Sequence, residues 1–309
     1  MVTLTQLKYI VSLAKEKHFG RAAKDCNVSQ PSLSTQIQKV EEGLGIVLFD
    51  RSKKPVLLTR EGVDFVAKAK QILSSVHSLE HDAINSDAVS GEFLLGVIPT
   101  LAPYLLPLFI EVFSSKYPEV NLKIYELTTT EIIKKLYDDE LDGGLLVTPL
   151  KDDKIIERAL FSELFYLYPS KEHKLFGAKE VKYSDLEFEN KFWILNEGHC
   201  MRDQVLNICQ FKEMNQSNLL FESGSLETIK NLIKKGSGLS IVPQMAAVDI
   251  KKDVVPFAEP SPARQVGLVH SRSFLKEKIL DALEAEILDS LPKEIKNLKV
   301  AYKNVDFVS

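Results

Sequence analysis

Apolar residues in the first part of the chain recur every three or four positions, the spacing of one helical face. Thr3 and Gln6 are placed as a capping box, opening a helix on which Leu4, Leu7, Ile10, Val11 and Ala14 share a side. A second, short helix is predicted over about 20–25, with Arg21, Ala22 and Ala23, followed by a tight turn at Asn27 and Val28. Ser29 caps a third helix that tolerates Pro31 in its first turn and buries Leu33, Ile37, Val40 and Leu44. Gln30, Ser32, Thr35, Gln36 and Lys39 then face outward or flank that side. From about 60 to 85 the apolar positions Phe65, Val66, Ala69, Ile72, Leu73, Val76, Leu79 and Ala83 continue the period behind a Thr59 cap. An amphipathic helix of that length, with no other partner nearby in sequence, suits dimerisation. The polar stretch 85–91 reads as a linker.

Beyond it the period alternates between strand and helix: strands over 93–98, 121–127 and 143–147 enclose helices over about 103–116 and 130–138. Further strands are predicted at 165–168, 192–195, 219–221, 239–242 and 265–270, with helices over about 201–211 and 226–235. This is an α/β pattern with crossover helices, and two lobes accommodate it better than one.

The 309 residues, 45% hydrophobic and 27% charged, have the composition of a soluble protein with room for two or three domains. Eighteen consecutive apolar residues occur nowhere and the N-terminus lacks a signal-peptide pattern, so a cytoplasmic protein without a membrane partner is expected. The net charge of −4 hides an asymmetry: residues 1–60 hold ten Lys and Arg against five Asp and Glu, and the remainder carries the acidic excess. A basic surface of this size suits nucleic acid. Small polar residues opening the third helix suit a helix-turn-helix, in which glutamine pairs with adenine, Ser and Thr take either role, and Lys39 reaches a phosphate. The basic segment 49–59 reads as a hairpin wing in which Arg51 is the candidate contact. The DNA-facing set is therefore Ser29, Gln30, Pro31, Ser32, Thr35, Gln36, Lys39 and Arg51, while Cys26, small and beside the turn, is expected in the core.

Two further cysteines, Cys200 and Cys209, stand nine residues apart. Cys200 follows Gly198 and His199 and precedes Arg202, near a predicted helix start, where two cations and the macrodipole would favour a thiolate. A thiolate attacks peroxide, and a nearby thiol traps the resulting sulfenic acid as a disulfide. If 200–209 is helical, the two Cα atoms are about 13 Å apart on opposite faces, whereas a disulfide requires roughly 4.4–6.8 Å. Bonding would therefore unwind the helix. The bland alternative, two small buried hydrophobes, stays open at this point.

The N-terminal segment carries Phe19-x-Arg21-Ala22-Ala23, then Val28-Ser29-Gln30-Pro31-Ser32-Leu33-Ser34 and Leu44-Gly45-x-x-Leu48-Phe49-x-Arg51. In these residues it resembles the LysR-type transcriptional regulators. The resemblance implies a winged helix-turn-helix over 1–60 and a linker helix and hinge over 61–90. It also implies a two-lobed α/β regulatory domain, similar to periplasmic binding proteins, over 91–309. Lobe I is expected at about 91–162 and 268–309 and lobe II at 163–267, with the chain crossing near 162–165 and 265–270. Implied partners are promoter DNA, further copies of the chain in a homotetramer built as a dimer of dimers, and RNA polymerase.

The regulatory segment is similar, more narrowly, to the hydrogen-peroxide-sensing members of that family. The matching residues are Ile98-Pro99-Thr100, Pro103-Tyr104-Leu105-Leu106-Pro107, Thr129, Leu141-Asp142, Gly198-His199-Cys200-x-Arg202-Asp203-Gln204, Cys209, Ser225-Leu226-Glu227-Thr228 and Gly236-Ser237-Gly238. This likeness implies a peroxidatic Cys200, a resolving Cys209 and a peroxide pocket shaped by Thr100, Thr129, His199 and Arg202. Arg264 is a weaker candidate for the thiolate's cation, because Ala263 interrupts the basic run usual there. No cofactor or metal is implied, and the protein reads as a regulator rather than an enzyme. The alternatives are a regulator that binds a small anionic metabolite through Thr100 and Thr129, and a thiol peroxidase or oxidoreductase using Cys200. Metal binding is weaker still, since no Cys-x₂–₄-Cys spacing occurs.

Overall fold

In a computed structural model the backbone is described for residues 1–84, 89–186, 192–209, 222–272, 274 and 276–305. The chain divides into two compact units, Met1–Ala88 and Val89–Ser309.

In the N-terminal unit three helices, α1 (Leu4–Glu16), α2 (Phe19–Asp25) and α3 (Gln30–Leu44), pack around Ile10, Leu13, Ala22, Ala23, Leu33, Ile37 and Val40. The Thr3–Gln6 capping box is formed, and His18 caps α2, its ring accepting from the backbone of Gly20 and Arg21. Asn27 takes a left-handed conformation (φ 54°) and Ser29 accepts from the Ser32 amide, which turns the chain sharply into α3. Two residues expected on the buried face lie outside it: Leu4 and Leu44 are 42% and 44% exposed. They occupy the first turn of α1 and the last turn of α3, beyond the crossing, and Leu13 fills the core instead.

A two-stranded antiparallel hairpin, β1 (Phe49–Asp50) with β2 (Leu57–Leu58), forms the wing. It is followed by α4 (Arg60–Ile84), whose Gly62 amide donates to the Thr59 hydroxyl. Val66 packs in the helical core and Ala69 is buried, while Val63 and Ile72 are 55% and 47% exposed.

The C-terminal unit opens with β3 (Gly91–Val97), α5 (Ala102–Lys116), β4 (Val120–Glu126), α6 (Thr129–Tyr137) and β5 (Gly143–Thr148). The three strands are parallel, as short crossover helices dictate. A long strand, β6 (Ile155–Pro169), follows, then β7 (Ile194–Leu195), α7 (Cys200–Cys209), β8 (Glu222–Ser223), α8 (Leu226–Lys234), β9 (Leu239–Pro243) and β10 (Val255–Pro256). The second long strand, β11 (Ser261–Ser271), precedes α9 (Glu277–Ser290), α10 (Lys293–Lys296) and β12 (Tyr302–Asn304). Among the described residues, β10-β6-β11-β5-β3-β4 form the path of an eight-stranded sheet, which β9 joins at β6 and β12 at β11.

Two apolar cores sit along this sheet, and β6 feeds both: Ile155 and Phe161 belong to the first, Phe165, Leu167 and Tyr168 to the second. Apart from Cys200 and Met245, the first core draws its buried residues from within 93–161 and 266–295, the second from within 165–257. The predicted strand at 165–168 is the C-terminal end of the much longer β6, whose first half lacks a continuous apolar run. Helix α9 lies beyond the last unit that the alternation predicts, although Ile279, Leu280, Leu283 and Ile287 carry its signal and bury in the first core. The predicted strand at 219–221 and the end of the predicted 201–211 helix lie outside the described residues.

Candidate functional site: a buried thiol at the head of a helix

Residues of α6 and of the segment before α7 meet at Cys200. Gly144 allows α6 to lie close on the sheet, since a Cβ there would come within 2.6 Å of Ile132 Cγ2. Thr128 caps α6 in a reciprocal box with Glu131, which leaves the adjacent Thr129 turned inward and 6% exposed. Gly198 takes φ +91°, a conformation that side chains rarely adopt, and delivers His199 and Cys200 into the interior at 9% and 6% exposure.

Cys200 begins α7 and Cys209 ends it. Cys200 packs in the first core while Met201, Val205, Ile208 and Cys209 pack in the second, and both thiols are free. Thr100, Thr129, His199 and Cys200, with Ile98, Pro99, Thr128 and Met201, line a narrow, closed void with no room for a water-sized molecule. Beside it opens a cleft of about 660 Å³, bounded by Thr129, Thr130, Ile133, Leu150 and the 151–154 loop on one side and by Gly198, His199, Cys200 and Asp203 on the other.

Thr129 Oγ1 faces the Cys200 thiol and favours its ionised form, yet the hydroxyl is buried without a hydrogen-bond partner of ordinary geometry. Thr100 is tied to Arg264, whose Nη1 donates to Thr100 Oγ1 at 2.9 Å and Nη2 to Thr100 O at 3.1 Å. Arg264 is fully buried, stacked 6.0 Å from the Phe165 ring centroid. It is neutralised by Glu163, which accepts from Nε at 2.9 Å and ion-pairs with Nη2 at 2.7 Å. Glu163, equally buried, also accepts from the Met245 amide at 2.8 Å through its other oxygen. The sequence reading missed Glu163; its signal, a lone acid in the apolar run of β6, was available.

The electrostatics differ from the sequence expectation in three respects. Burial pushes the Cys200 thiol up, outweighing the Thr129 hydroxyl and the Arg264 charge, so the resting group is protonated. Burial pushes His199 down, against the pull of Glu131, so the imidazole is neutral rather than a second cation. Arg202 donates to the Leu195 carbonyl at 3.0 Å and its charge acts on Asp203; the cation acting on Cys200 is Arg264, brought there from β11. Cys209 is pushed up further by burial alone. Among the described residues, no three His, Cys, Asp or Glu side chains gather as a metal-binding group.

In the N-terminal unit Ser29, Gln30, Pro31, Ser32, Thr35 and Lys39 lie exposed along the first turns of α3. Gln36 is half-buried and accepts from Gln6 at 3.1 Å. Arg51 is engaged within the protein: it pairs with Glu41 at 2.5 Å and lies 5.5 Å from the Phe19 ring centroid. Glu41 in turn accepts from the Leu48 and Phe49 amides, so this cluster fastens the wing to α3.

A winged helix-turn-helix followed by a two-lobed α/β unit defines a bacterial transcription regulator. The chain belongs to the LysR family: residues 4–63 match the bacterial regulatory helix-turn-helix protein, lysR family, and residues 86–291 match the LysR substrate binding domain. It is 35% identical over 274 residues to the hydrogen peroxide-inducible genes activator of Dickeya chrysanthemi, covering 87% of this chain and 89% of that protein. The same identity and coverage relate it to the DNA-binding transcriptional dual regulator OxyR of Escherichia coli. Among solved structures, full-length OxyR from Pseudomonas aeruginosa, carrying a cysteine-to-aspartate substitution, superposes with a TM-score of 0.78 at 34% identity, covering 96% of this chain and 97% of that one. A hydrogen-peroxide-bound OxyR mutant from Corynebacterium glutamicum gives 0.62 at 28% identity, covering 94% and 92%.

Proposed function

We propose that the protein is a cytoplasmic, hydrogen-peroxide-sensing regulator of transcription in which Cys200 is the peroxidatic thiol and Cys209 resolves it. The observation that carries this reading is a buried Cys200 between the unpartnered Thr129 hydroxyl and the Arg264-held Thr100, heading a helix that ends in a second thiol. Peroxide entering between these hydroxyls as they part would accept hydrogen bonds from both Thr100 and Thr129. The Cys200 sulfur attacks one oxygen, the O–O bond breaks, and the thiol proton, relayed through Thr129, leaves with the departing oxygen as water. Arg264, acting through Thr100, stabilises the charge that develops on that oxygen. The Cys200 sulfenic acid then condenses with the Cys209 thiol, releasing a second water and forming the disulfide. His199 closes the void as a neutral wall, and Arg202 anchors the start of α7 to Leu195.

The signal is delivered to promoter DNA through Ser29, Gln30, Pro31, Ser32, Thr35, Gln36 and Lys39, with Arg51 setting the wing. Assembly as a dimer of dimers through the long helix, and contact with RNA polymerase, complete the reading; it is a regulator that is oxidised once per signal rather than a turnover enzyme. A second reading, a small anionic effector held through Thr100 and Thr129, draws on the 660 Å³ cleft that Thr129 lines, far larger than peroxide requires, although Asp152, Asp153 and Asp203 there outnumber Lys151 and Lys154. Mass spectrometry of peroxide-treated protein separates the two. A peptide crosslinked through Cys200 and Cys209 is expected, along with a Cys200→Ser protein that binds promoter DNA but ignores peroxide; two free thiols after treatment would overturn the proposal.

A further inference from the structure

We propose that Glu163 is the positioning residue that governs the reactivity of Cys200: it holds the Arg264 guanidinium on Thr100, and its own negative charge offsets the cation's pull on the thiol. The inference rests on the peroxide-sensing reading and deepens it.

Glu163 and Arg264 are direct cross-strand partners in the antiparallel β6–β11 pair, so their side chains meet by register. Both are 0% exposed. Glu163 Oε1 accepts from Nε and lies 2.7 Å from Nη2 as an ion pair, while Nη1 and Nη2 donate to Thr100. The Thr100 oxygen thereby accepts on the arginine side, which leaves its hydrogen free to donate to a molecule beside Cys200, with which Thr100 lines the void. The other carboxylate oxygen holds the amide of Met245, which packs with Cys200 in the first core.

Charges in a dry interior interact strongly, and an unpaired guanidinium beside a thiol favours the thiolate. The groups that act on Cys200 come from several elements. Arg264 on β11 and the Thr129 hydroxyl on α6 favour the thiolate, Asp203 on α7 opposes it, and neighbouring His199, with Glu131 near it, is held neutral. Glu163 on β6 adds a negative charge that offsets Arg264. Buried ion pairs are often structural only, so the test must read the thiol and not merely stability.

The test is the rate of iodoacetamide alkylation of Cys200 in the reduced full-length protein, followed by mass spectrometry from pH 5.5 to 9. Wild type is compared with Glu163→Gln and Glu163→Asp, with folding monitored by thermal unfolding and promoter binding. Glu163→Gln should alkylate about tenfold faster at pH 7, its profile displaced about one pH unit to lower pH. Glu163→Asp, which keeps the charge, should stay within about threefold of wild type whatever it costs in stability. Superimposable profiles for Glu163→Gln and wild type, or equal displacement in both variants, would overturn the proposal. Should Glu163→Gln fail to fold, adding it to Arg264→Gln must move the profile to lower pH than Arg264→Gln alone; no displacement overturns the inference. A displaced profile in protein that never forms the Cys200–Cys209 bond with peroxide leaves the electrostatic inference standing and removes the peroxide reading instead.

Discussion

Cys200 and Cys209 are the first and last residues of one helix, and each is buried in a different core of the regulatory unit. The helical rise sets their Cα atoms about 13 Å apart, twice the reach of a disulfide. Joining them therefore extracts at least one from its core and breaks the hydrogen bonds of α7 between them.

Hydrogen exchange follows from this. In the reduced protein, backbone amides within α7 should exchange slowly, protected by the helix and the second core. After peroxide treatment the amides of residues 203–209 should lose protection by about tenfold or more, while those of β6, the strand shared by both cores, and of its partner β11 keep theirs. Unchanged protection in α7 after disulfide formation would contradict the unwinding. A Cys209→Ser protein, oxidised only as far as the sulfenic acid, should retain the protected pattern.

The DNA-binding unit separates two basic residues that the sequence groups together. Lys39 is exposed on α3, so Lys39→Ala should weaken promoter binding similarly across sequences and reduce the slope of log affinity against log salt by about 1. Arg51 is ion-paired to Glu41, which also carries the Leu48 and Phe49 amides. Arg51→Ala should therefore cost about 1 kcal/mol in unfolding of the N-terminal unit and change the salt slope little. Titrating promoter DNA at several salt concentrations, alongside thermal melts, distinguishes the two behaviours.

Two buried histidines set an acid limit. His199 and His270 are 9% and 2% exposed, and burial pushes the pKa of both down. As pH falls through about 6.5 the unfolded chain takes up protons that the folded one refuses, so stability falls with pH from there downward. Carboxylates held low by hydrogen bonds, such as Glu131 on Thr128, titrate below that window. The melting temperature should decline between pH 6.5 and 5.5, and His270→Gln should flatten that decline whatever its effect at pH 7.

The helices, the wing and the alternation of the regulatory unit were legible because each rests on local periodicity and capping: Thr3 with Gln6, Ser29 with Ser32, and Thr59 with Gly62 are contacts three residues apart. The long reach of β6 was less legible. Its first half alternates between half-buried and exposed positions, and it becomes a strand by pairing with β11, about a hundred residues away. Leu4 and Leu44 show the same limit in reverse, since periodicity assigns a face to a residue but not whether another helix reaches that turn.

The electrostatics of the site were decided by distance through space. Neighbours in the chain suggested that His199 and Arg202 would charge the thiol, and the family likeness added Arg264 only as a weaker candidate. The fold buries His199 to neutrality, turns Arg202 onto the Leu195 carbonyl, and brings Arg264 from β11 with Glu163 as its counter-charge. By itself the sequence determined that there are two thiols at opposite ends of one helix behind a DNA-binding unit, since spacing and period are local properties. Only the tertiary structure decided that the first thiol rests protonated, and which cation acts on it. Desolvation and Coulomb energy depend on what is packed nearby, whatever its place in the chain.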